Sequence, residues 1–278
     1  MKTILLSLLT GAVLSFFAIP SATAGGKVLY FTHEPGKWHE YTPQLAIFKE
    51  IAEKAGWDVT VMTGEHEPQI EKLRTPDFGK GYDAIVYNFC FAKSADLEAA
   101  NNLMDQTRVH GVPAILLHCS MHSWWPTYKT GGTDYSNGAQ ADPILKMKWM
   151  KDHPDKPFPA WGDFTGVASI RHGKKLPISL HRCNDSPITA GVPEDYRTDD
   201  TELYNNVYLT DDVIPLLTGS QEGEEDAIVM WTCPRGKSRI MGLTWGHDVR
   251  DWNAEPFQKL LTEGVNDLIA NPGPEAAQ

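Results

Sequence analysis

The sequence has little positive charge, few cysteines and almost no long hydrophobic runs. Lys and Arg total 25 against 36 Asp and Glu, which gives a net charge of −11 at pH 7. Such a chain cannot neutralise a phosphate backbone or an anionic membrane surface, so we expect neither nucleic acid nor membrane as a partner. The cysteines are Cys90, Cys119, Cys183 and Cys233, and none forms a C-x-x-C pair. This spacing argues against a zinc ribbon and a redox motif, and it leaves any disulfide pairing open.

The single long hydrophobic run lies at the N-terminus. It extends from Ile4 to Ile19, after Lys2 and before the small-residue triplet Ala22-Thr23-Ala24. A basic residue, a short apolar stretch and a small-residue cleavage site are typical of a secretory signal peptide. We therefore predict that residues 1–24 are a signal peptide and that residues 25–278 form a single domain. The mature chain is expected to be periplasmic or secreted, without membrane insertion.

The rest of the chain alternates short apolar strands with amphipathic helices. The predicted strands are residues 27–32, 58–63, 82–88, 112–118, 165–171, 176–181, 227–233 and 238–244, and the predicted helices are 43–56, 94–111, 144–151 and 255–270. Apolar strands separated by helices are typical of a parallel sheet covered on both faces, which predicts an α/β fold. Ligands bind such sheets at the carboxyl ends of the strands.

Histidines and tryptophans are concentrated after three of these strands. The first group includes His33, Trp38 and His39, the second extends from His118 to Trp125, and the third includes His247 and Asp248. If the strands run parallel, the three loops open at one edge of the sheet, and their imidazoles converge there.

A metal site is the first interpretation of these histidines. His118 and His122 form an H-x-x-x-H pair, whose rings face the same way in a helical turn. His39 or His247 could complete three ligands around a Zn-like divalent ion with one open position. The alternative is that the same imidazoles form hydrogen bonds with substrate or backbone.

Two further groups could carry chemistry. Cys119 follows a buried strand, where a strand-to-helix turn could present a nucleophile, but no glycine flanks it, and a buried structural thiol is the alternative. Glu202 lies in an acidic stretch and could act as a general base, or could belong to a solvated turn.

Trp124 and Trp125 could stack on sugar rings, or pack within a lid.

Taken in order, these segments resemble the ThuA-like (trehalose utilisation) family. The resemblance spans residues 27–269 and rests on Thr32-His33, His39-Glu40, His118-Cys119-Ser120-Met121-His122, Phe164-Thr165-Gly166 with His172, Ser186-Pro187-Ile188-Thr189-Ala190-Gly191, Asp200-Thr201-Glu202-Leu203-Tyr204, Trp231, Gly236-Lys237-Ser238-Arg239 and Gly246-His247-Asp248. It implies a class I glutamine amidotransferase-like fold: a flavodoxin-like three-layer sandwich with a mostly parallel central sheet. It also places Glu202 at the site beside the histidines and implies a role in disaccharide catabolism. Glutamine hydrolysis is not expected, since Cys119 lacks flanking glycines.

We therefore predict an exported enzyme that acts on a small carbohydrate, either a disaccharide or an oxidised sugar. The predicted catalytic residues are Glu202, His118 and His247; the predicted substrate-binding residues are His33, His39, Trp124, Trp125, Tyr204 and Asp248; and the predicted metal ligands are His118, His122 and His247. Two other functions remain open at this point: a non-catalytic sugar-binding or scaffold protein, and a hydrolase that uses Cys119. The sequence does not indicate an oligomeric state.

Overall fold

The computed structural model of the protein describes residues 25–129 and 140–273. The predicted signal peptide, residues 1–24, lies outside the described residues. Within these two ranges, no helix combines the length and hydropathy of a membrane-spanning segment.

Strands and helices alternate through the first half of the chain, and antiparallel strands predominate in the second. The strands are β1 (Lys27–Thr32), β2 (Asp58–Met62), β3 (Ala84–Asn88), β4 (Ala114–Leu117), β5 (Val167–Ala168), β6 (Leu176–Arg182), β7 (Arg197–Thr201), β8 (Tyr208–Leu209), β9 (Ile214–Ser220), β10 (Ala227–Arg235) and β11 (Ser238–Leu243). The helices are α1 (Tyr41–Ala55), α2 (His66–Lys72), α3 (Leu97–Arg108), α4 (Pro143–Asp152), α5 (Trp161–Thr165), α6 (Val249–Asn253) and α7 (Glu255–Ala270).

One large sheet contains nine of the described strands, in the order β2-β1-β3-β4-β11-β10-β9-β6-β7. From β2 to β11 neighbouring strands are parallel. From β11 to β7 each pairing is antiparallel. An even number of reversals separates β11 from β7, so β1, β4, β11 and β7 all point in the same direction. The predicted α/β fold is confirmed, and its parallel part contains the three strands whose loops carry the histidines.

Two apolar clusters cover the two faces of this sheet. Along β1, Val28 and Tyr30 belong to one cluster and Leu29 and Phe31 to the other, as the two-residue period of a strand requires. Helices α1 and α7 contribute to the first cluster, and α2 and α3 to the second. Burial of each large apolar side chain contributes roughly 1.5–3 kcal/mol, so these clusters hold the three layers together.

The chain after residue 164 departs from the predicted elements. The predicted strand 165–171 is mostly irregular, because α5 continues through Thr165 and ends at Gly166, whose φ of 78° is left-handed. Only Val167–Ala168 is a strand, and it pairs with Tyr208–Leu209 in a separate two-stranded sheet. Strand β7 was not predicted, because its sequence RTDDT shows no apolar alternation.

All four cysteines are free thiols. Cys119 and Cys233 are buried, Cys90 is half-buried and Cys183 is exposed. The fold therefore holds together without a disulfide, as its two apolar clusters would allow.

Candidate functional site

Three histidines meet at the carboxyl edge of the parallel strands. His39 lies in the loop after β1, His118 directly follows β4, and His247 lies in the loop after β11. The ring centroids are 4.9 Å apart for His39 and His118, 4.9 Å for His39 and His247, and 5.2 Å for His118 and His247. One ligand atom from each residue lies within 4.8 Å of the others, and all three residues are buried. We call this group the histidine triad.

A sharp turn orients His118. Its φ of 41° is left-handed, at the junction between β4 and a 3₁₀ helix over His118–His122. The Nδ1 atom is 2.5 Å from the carbonyl oxygen of Thr244, so the ring donates its Nδ1–H there and keeps the lone pair on Nε2. That Nε2 atom lies 3.1 Å from the hydroxyl of Tyr204 and 3.2 Å from Nδ1 of His247. His118, and not Cys119, therefore occupies the strained position of the strand-to-helix turn.

Backbone and side-chain contacts hold the other two imidazoles. His39 Nδ1 lies 3.3 Å from the carbonyl oxygen of His247, and Gln44 from α1 donates to the same oxygen at 3.2 Å. The preceding Gly246 has a φ of 126°, and a side chain there would meet the ring of Phe257 at 2.9 Å. This glycine therefore lets the backbone turn His247 toward the other two rings.

Asp251 at the start of α6 ties the His247 loop to β7. Its Oδ2 accepts the backbone N–H of His247 at 2.8 Å and the hydroxyl of Thr201 at 2.7 Å. Its Oδ1 accepts the indole N–H of Trp245 at 2.8 Å. Glu202 directly follows Thr201, so one buried carboxylate fixes the segment that carries Glu202 relative to the segment that carries His247.

The carboxylate of Glu202 lies beside the triad. Its Oε2 is 3.4 Å from Nε2 of His118 and 3.5 Å from Nδ1 of His247, and its Oε1 is 3.7 Å from Nδ1 of His172. It reaches this position because β7 points the same way as β1, β4 and β11. The four groups of the site thus come from four separate strand ends.

Burial and mutual proximity set the charges of these groups. Burial, together with the nearby His118 and His247, lowers the pKa of His39 to about 2. Burial and the nearby His118 lower the pKa of His247 to about 4. Burial raises the pKa of Glu202, but the contact with His118, together with the nearby His247 and His172, outweighs this and brings the pKa to about 2. At neutral pH these shifts keep His39 and His247 neutral and Glu202 ionised, which are the forms of these side chains that bind divalent cations.

His122 does not belong to the triad, which corrects the predicted metal ligands. A 3₁₀ helix has about 3.0 residues per turn, so residues four apart point in different directions, unlike in an α-helix. His122 instead places Nε2 2.8 Å from the hydroxyl of Ser169, and its ring stacks on Tyr204 with centroids 3.9 Å apart. His39 takes the place in the triad that the H-x-x-x-H spacing gave to His122.

A cavity of about 860 Å³ opens above these groups. Of the predicted site residues, those that line it are His33, His39, His122, Trp125, Glu202, Tyr204 and His247. His118 is 1 % exposed and contacts Glu202 and Tyr204 from beneath the lining. The volume falls within the roughly 300–1,000 Å³ of typical small-molecule sites.

Two predicted substrate-binding residues do not line this cavity. Trp124 is fully buried in the second apolar cluster, where its indole N–H donates to the carbonyl of Asp96. Asp248 caps α6 through the backbone N–H of Arg250 and forms an ion pair with its guanidinium at 2.7 Å. Because both side chains are committed to packing or capping, neither faces a ligand in the cavity.

Sequence reasoning missed several cavity and supporting residues. His66 and His172 line the cavity, and Gln44 and Asp251 support the triad. His66 lies in the unpredicted helix α2, and His172 follows the short strand β5, so neither could be placed at a strand end. The sequence indicates a role for Asp251 only through its position four residues after His247.

Cys119 shows the properties of a structural thiol rather than an activated one. It is 6 % exposed, and burial together with the neighbouring Cys90 raises its thiol pKa well above the usual value. A high pKa leaves little of the thiolate that nucleophilic attack requires. The geometry therefore does not favour the hydrolase alternative.

The fold and the site define an α/β protein with a His/Glu cavity at the carboxyl edge of its sheet. The sequence model of the ThuA family, described as trehalose utilisation, matches residues 27–266. The chain therefore belongs to the ThuA family. No curated protein matches the chain significantly.

ThuA-like proteins of known structure share this fold at low sequence identity. A ThuA-like protein from Parabacteroides merdae is 16 % identical with a TM-score of 0.63, over 88 % of this chain and 90 % of that one. A ThuA-like protein from Bacteroides uniformis is 14 % identical with a TM-score of 0.62, over 89 % of this chain and 94 % of that one. A glutamine amidotransferase from Thermotoga maritima is 12 % identical with a TM-score of 0.49, over 88 % of this chain and 98 % of that one.

Proposed function

We propose that this ThuA-family protein is an exported enzyme of carbohydrate catabolism that acts on a disaccharide or an oxidised sugar with the help of a divalent metal. The observation that carries the proposal is the triad of His39, His118 and His247, with the Glu202 carboxylate 3.4 Å from His118, at the cavity floor. The family description, trehalose utilisation, supports a sugar as the substrate class.

The triad suits a Zn-like ion in its chemistry. His118 keeps Nε2 free because Nδ1 bonds to a carbonyl, and His39 is held in the same way through Nδ1. Such outer hydrogen bonds fix the tautomer of metal-binding histidines and orient their rings. When bound, the ion supplies Lewis-acid polarisation of a substrate oxygen.

The charge of Glu202 supports a role as base or electrostatic stabiliser. With a pKa of about 2, its carboxylate is ionised at neutral pH and holds no proton to donate. It lies against two imidazoles of the triad and lines the cavity, so a substrate hydroxyl or a water placed there is within its reach. We assign it proton abstraction or stabilisation of positive charge that develops in the transition state.

The walls of the cavity support a sugar ligand. Trp38 and Trp125 line it together with polar groups from His33 and His66. Aromatic faces stack on the C–H surface of sugar rings while polar side chains bond to hydroxyls. Trp125 takes the stacking role that the sequence assigned to both Trp124 and Trp125.

Metal titration tests the site directly. Metal-free protein titrated with Co²⁺ or Zn²⁺ should bind one equivalent, and Co²⁺ should give the visible absorption of a histidine-ligated ion. Alanine at His39, His118 or His247 should weaken binding by more than the roughly 10–100-fold typical of outer hydrogen-bond partners. His181, exposed and outside the cavity, supplies the control, and equal affinities for its alanine variant and the triad variants would refute the site.

Turnover tests the enzymatic role. The metal-loaded protein would be incubated with disaccharides and their oxidised derivatives, with products followed by NMR. Glu202→Gln should lower turnover at least ~100-fold, the scale of a lost acid-base group. Tight binding of the sugars without any product would instead favour the non-catalytic sugar-binding protein.

Cleavage of the predicted signal peptide can be tested separately. The full chain, expressed in a bacterium, should appear outside the cytoplasm with Gly25 as its first residue, since the triplet before it has the small residues of a cleavage site. An intact N-terminus on cytoplasmic protein would overturn this part of the proposal.

A further inference from the structure

The charge of the cavity lining is opposite to that of the whole chain. Its basic side chains are Lys37, Lys93, Arg171 and Lys175, and its carboxylates are Glu67 and Glu202. The chain as a whole carries −11. A cavity with an excess of one sign of charge attracts ligands of the other sign, so this lining favours an anion although the chain as a whole is acidic.

The two carboxylates of the lining are already engaged by histidines. Glu67 lies 2.9 Å from Nδ1 of His66, and Glu202 faces His118, His247 and His172. Among the basic residues, Arg171 forms an ion pair with Glu224 at 2.5 Å. Within residues 25–129 and 140–273, no carboxylate forms an ion pair with Lys93 or Lys175.

Lys175 lies on the segment of the cavity wall that contacts Glu202. His172 on this segment places Nδ1 3.7 Å from Oε1 of Glu202, and Lys175 follows three residues later and also lines the cavity. Lys175 belongs to the segment between β5 and β6, which also brings Arg171 and His172 to the cavity wall. An anionic group held by Lys175 would thus lie close to the reacting centre.

We propose that the substrate is an anionic carbohydrate, a sugar that bears a carboxylate or a phosphate, and that Lys175 binds its anionic group. This inference rests on the proposed function, because it names the class of sugar that the same cavity accepts. A neutral sugar forms no ion pair with the unpaired ammonium groups of the wall. A sugar acid forms a charge-assisted hydrogen bond with each ammonium group that it contacts. Lys93, on the cavity wall, would reinforce the attraction.

Calorimetry with matched sugars tests the proposal without any need for turnover. Glucuronate and glucose differ only in a carboxylate against a hydroxymethyl group, and glucose 6-phosphate provides the phosphate arm. We expect glucuronate or glucose 6-phosphate to bind about tenfold or more tightly than glucose at low salt, the scale of one charged hydrogen bond. The arm that shows the larger preference identifies the anion.

The chain offers a matched control for Lys175. Lys174 is also exposed and lies next to it, but it does not line the cavity. Lys175→Ala should remove most of the preference for the anionic sugar, about tenfold, while Lys174→Ala should keep it. Both positions are exposed, so both variants should fold, and thermal melting would verify this.

The outcomes separate this inference from the proposed function. If neutral sugars bind as tightly as anionic ones, the anionic substrate is refuted while a sugar enzyme survives. If both lysine variants behave alike, the role of Lys175 is refuted. If the anionic sugars bind with the expected loss on Lys175→Ala but neither they nor neutral sugars are turned over, the binding inference holds and the enzymatic function fails. If no sugar binds at all, both fail.

Discussion

Backbone carbonyl oxygens determine which ring nitrogen of two triad histidines, His118 and His39, can bind a cation. The carbonyl of Thr244 takes the Nδ1–H of His118, and the carbonyl of His247 lies next to Nδ1 of His39. Both rings are therefore left with Nε2 as the atom that can accept a cation or a proton. Side-chain chemistry at the site is thus set by backbone groups that no sequence pattern reports.

The exclusion of His122 from the triad gives a prediction at this scale. His122→Ala should change Zn²⁺ affinity by less than about threefold, since its ring stacks on Tyr204 and bonds to Ser169 rather than to the triad. His39→Ala should abolish tight binding. Competition with a chromophoric chelator measures both, and a large loss on His122→Ala would show that the segment forms an α-helical turn when metal binds.

The sequence permits part of this residue-level picture to be predicted. Strand ends and a parallel sheet are enough to expect His118 and His247 at the same edge. The choice between His39 and His122 as third ligand depends on whether the turn after β4 is 3₁₀ or α-helical, and the residues His118–His122 do not determine that in isolation. Trp124 was misplaced for a related reason: apolar rings after a strand suit a cavity wall and a buried cluster equally well.

At the level of elements, Asp251 couples α6, the His247 loop and β7. We predict that Asp251→Asn lowers the free energy of unfolding by roughly 1–3 kcal/mol, because an amide has one oxygen for three donors and leaves at least one of them unsatisfied. The same variant should also weaken Zn²⁺ binding, since His247 loses the bond that orients its backbone.

Chemical denaturation and metal titration together check this prediction. Asp248→Asn is the matched control, because Asp248 caps the same helix but does not reach Thr201 or His247. If the two variants lost stability equally and both kept their metal affinity, the coupling role of Asp251 would be wrong.

The elements that could be predicted are those with a clear apolar period. Strands β1, β3 and β4 and helices α1, α3 and α7 lie close to their predicted positions, because one face of each is buried. Strand β7, with sequence RTDDT, offers no such signal, although it delivers Glu202 to the site. The placement of Glu202 therefore rested on a family resemblance and not on periodicity.

For the whole molecule, buried neutral histidines make stability depend on acidity. Burial lowers the pKa of His33 to about 4, against a value of ~6.5 for an unfolded histidine. Between these two pH values the unfolded chain therefore binds more protons than the folded chain. The contribution of His33 to the free energy of unfolding is complete above pH ~6.5 and declines as the pH falls toward ~4. Each such histidine contributes up to roughly 1.4 kcal/mol per pH unit.

This linkage predicts the effect of His33→Gln. In metal-free protein, the variant should lose stability less steeply than the parent chain as the pH falls from 7 to 4, because one buried titrating group is gone. His181→Gln should leave the slope unchanged, since that residue is exposed. Urea denaturation at several pH values measures the slopes, and identical slopes for all three proteins would contradict the assignment.

The triad draws its members from stretches as much as 208 residues apart along the chain. No fragment that ends before His247 contains all of them, so a metal would be bound only after the loops that follow β1, β4 and β11 have come together. A bound ion would link the loop after β1 to the loop after β11. It would have to dissociate before these two loops could separate. Bound metal would then add to the free energy of unfolding, by an amount that grows with its concentration and affinity.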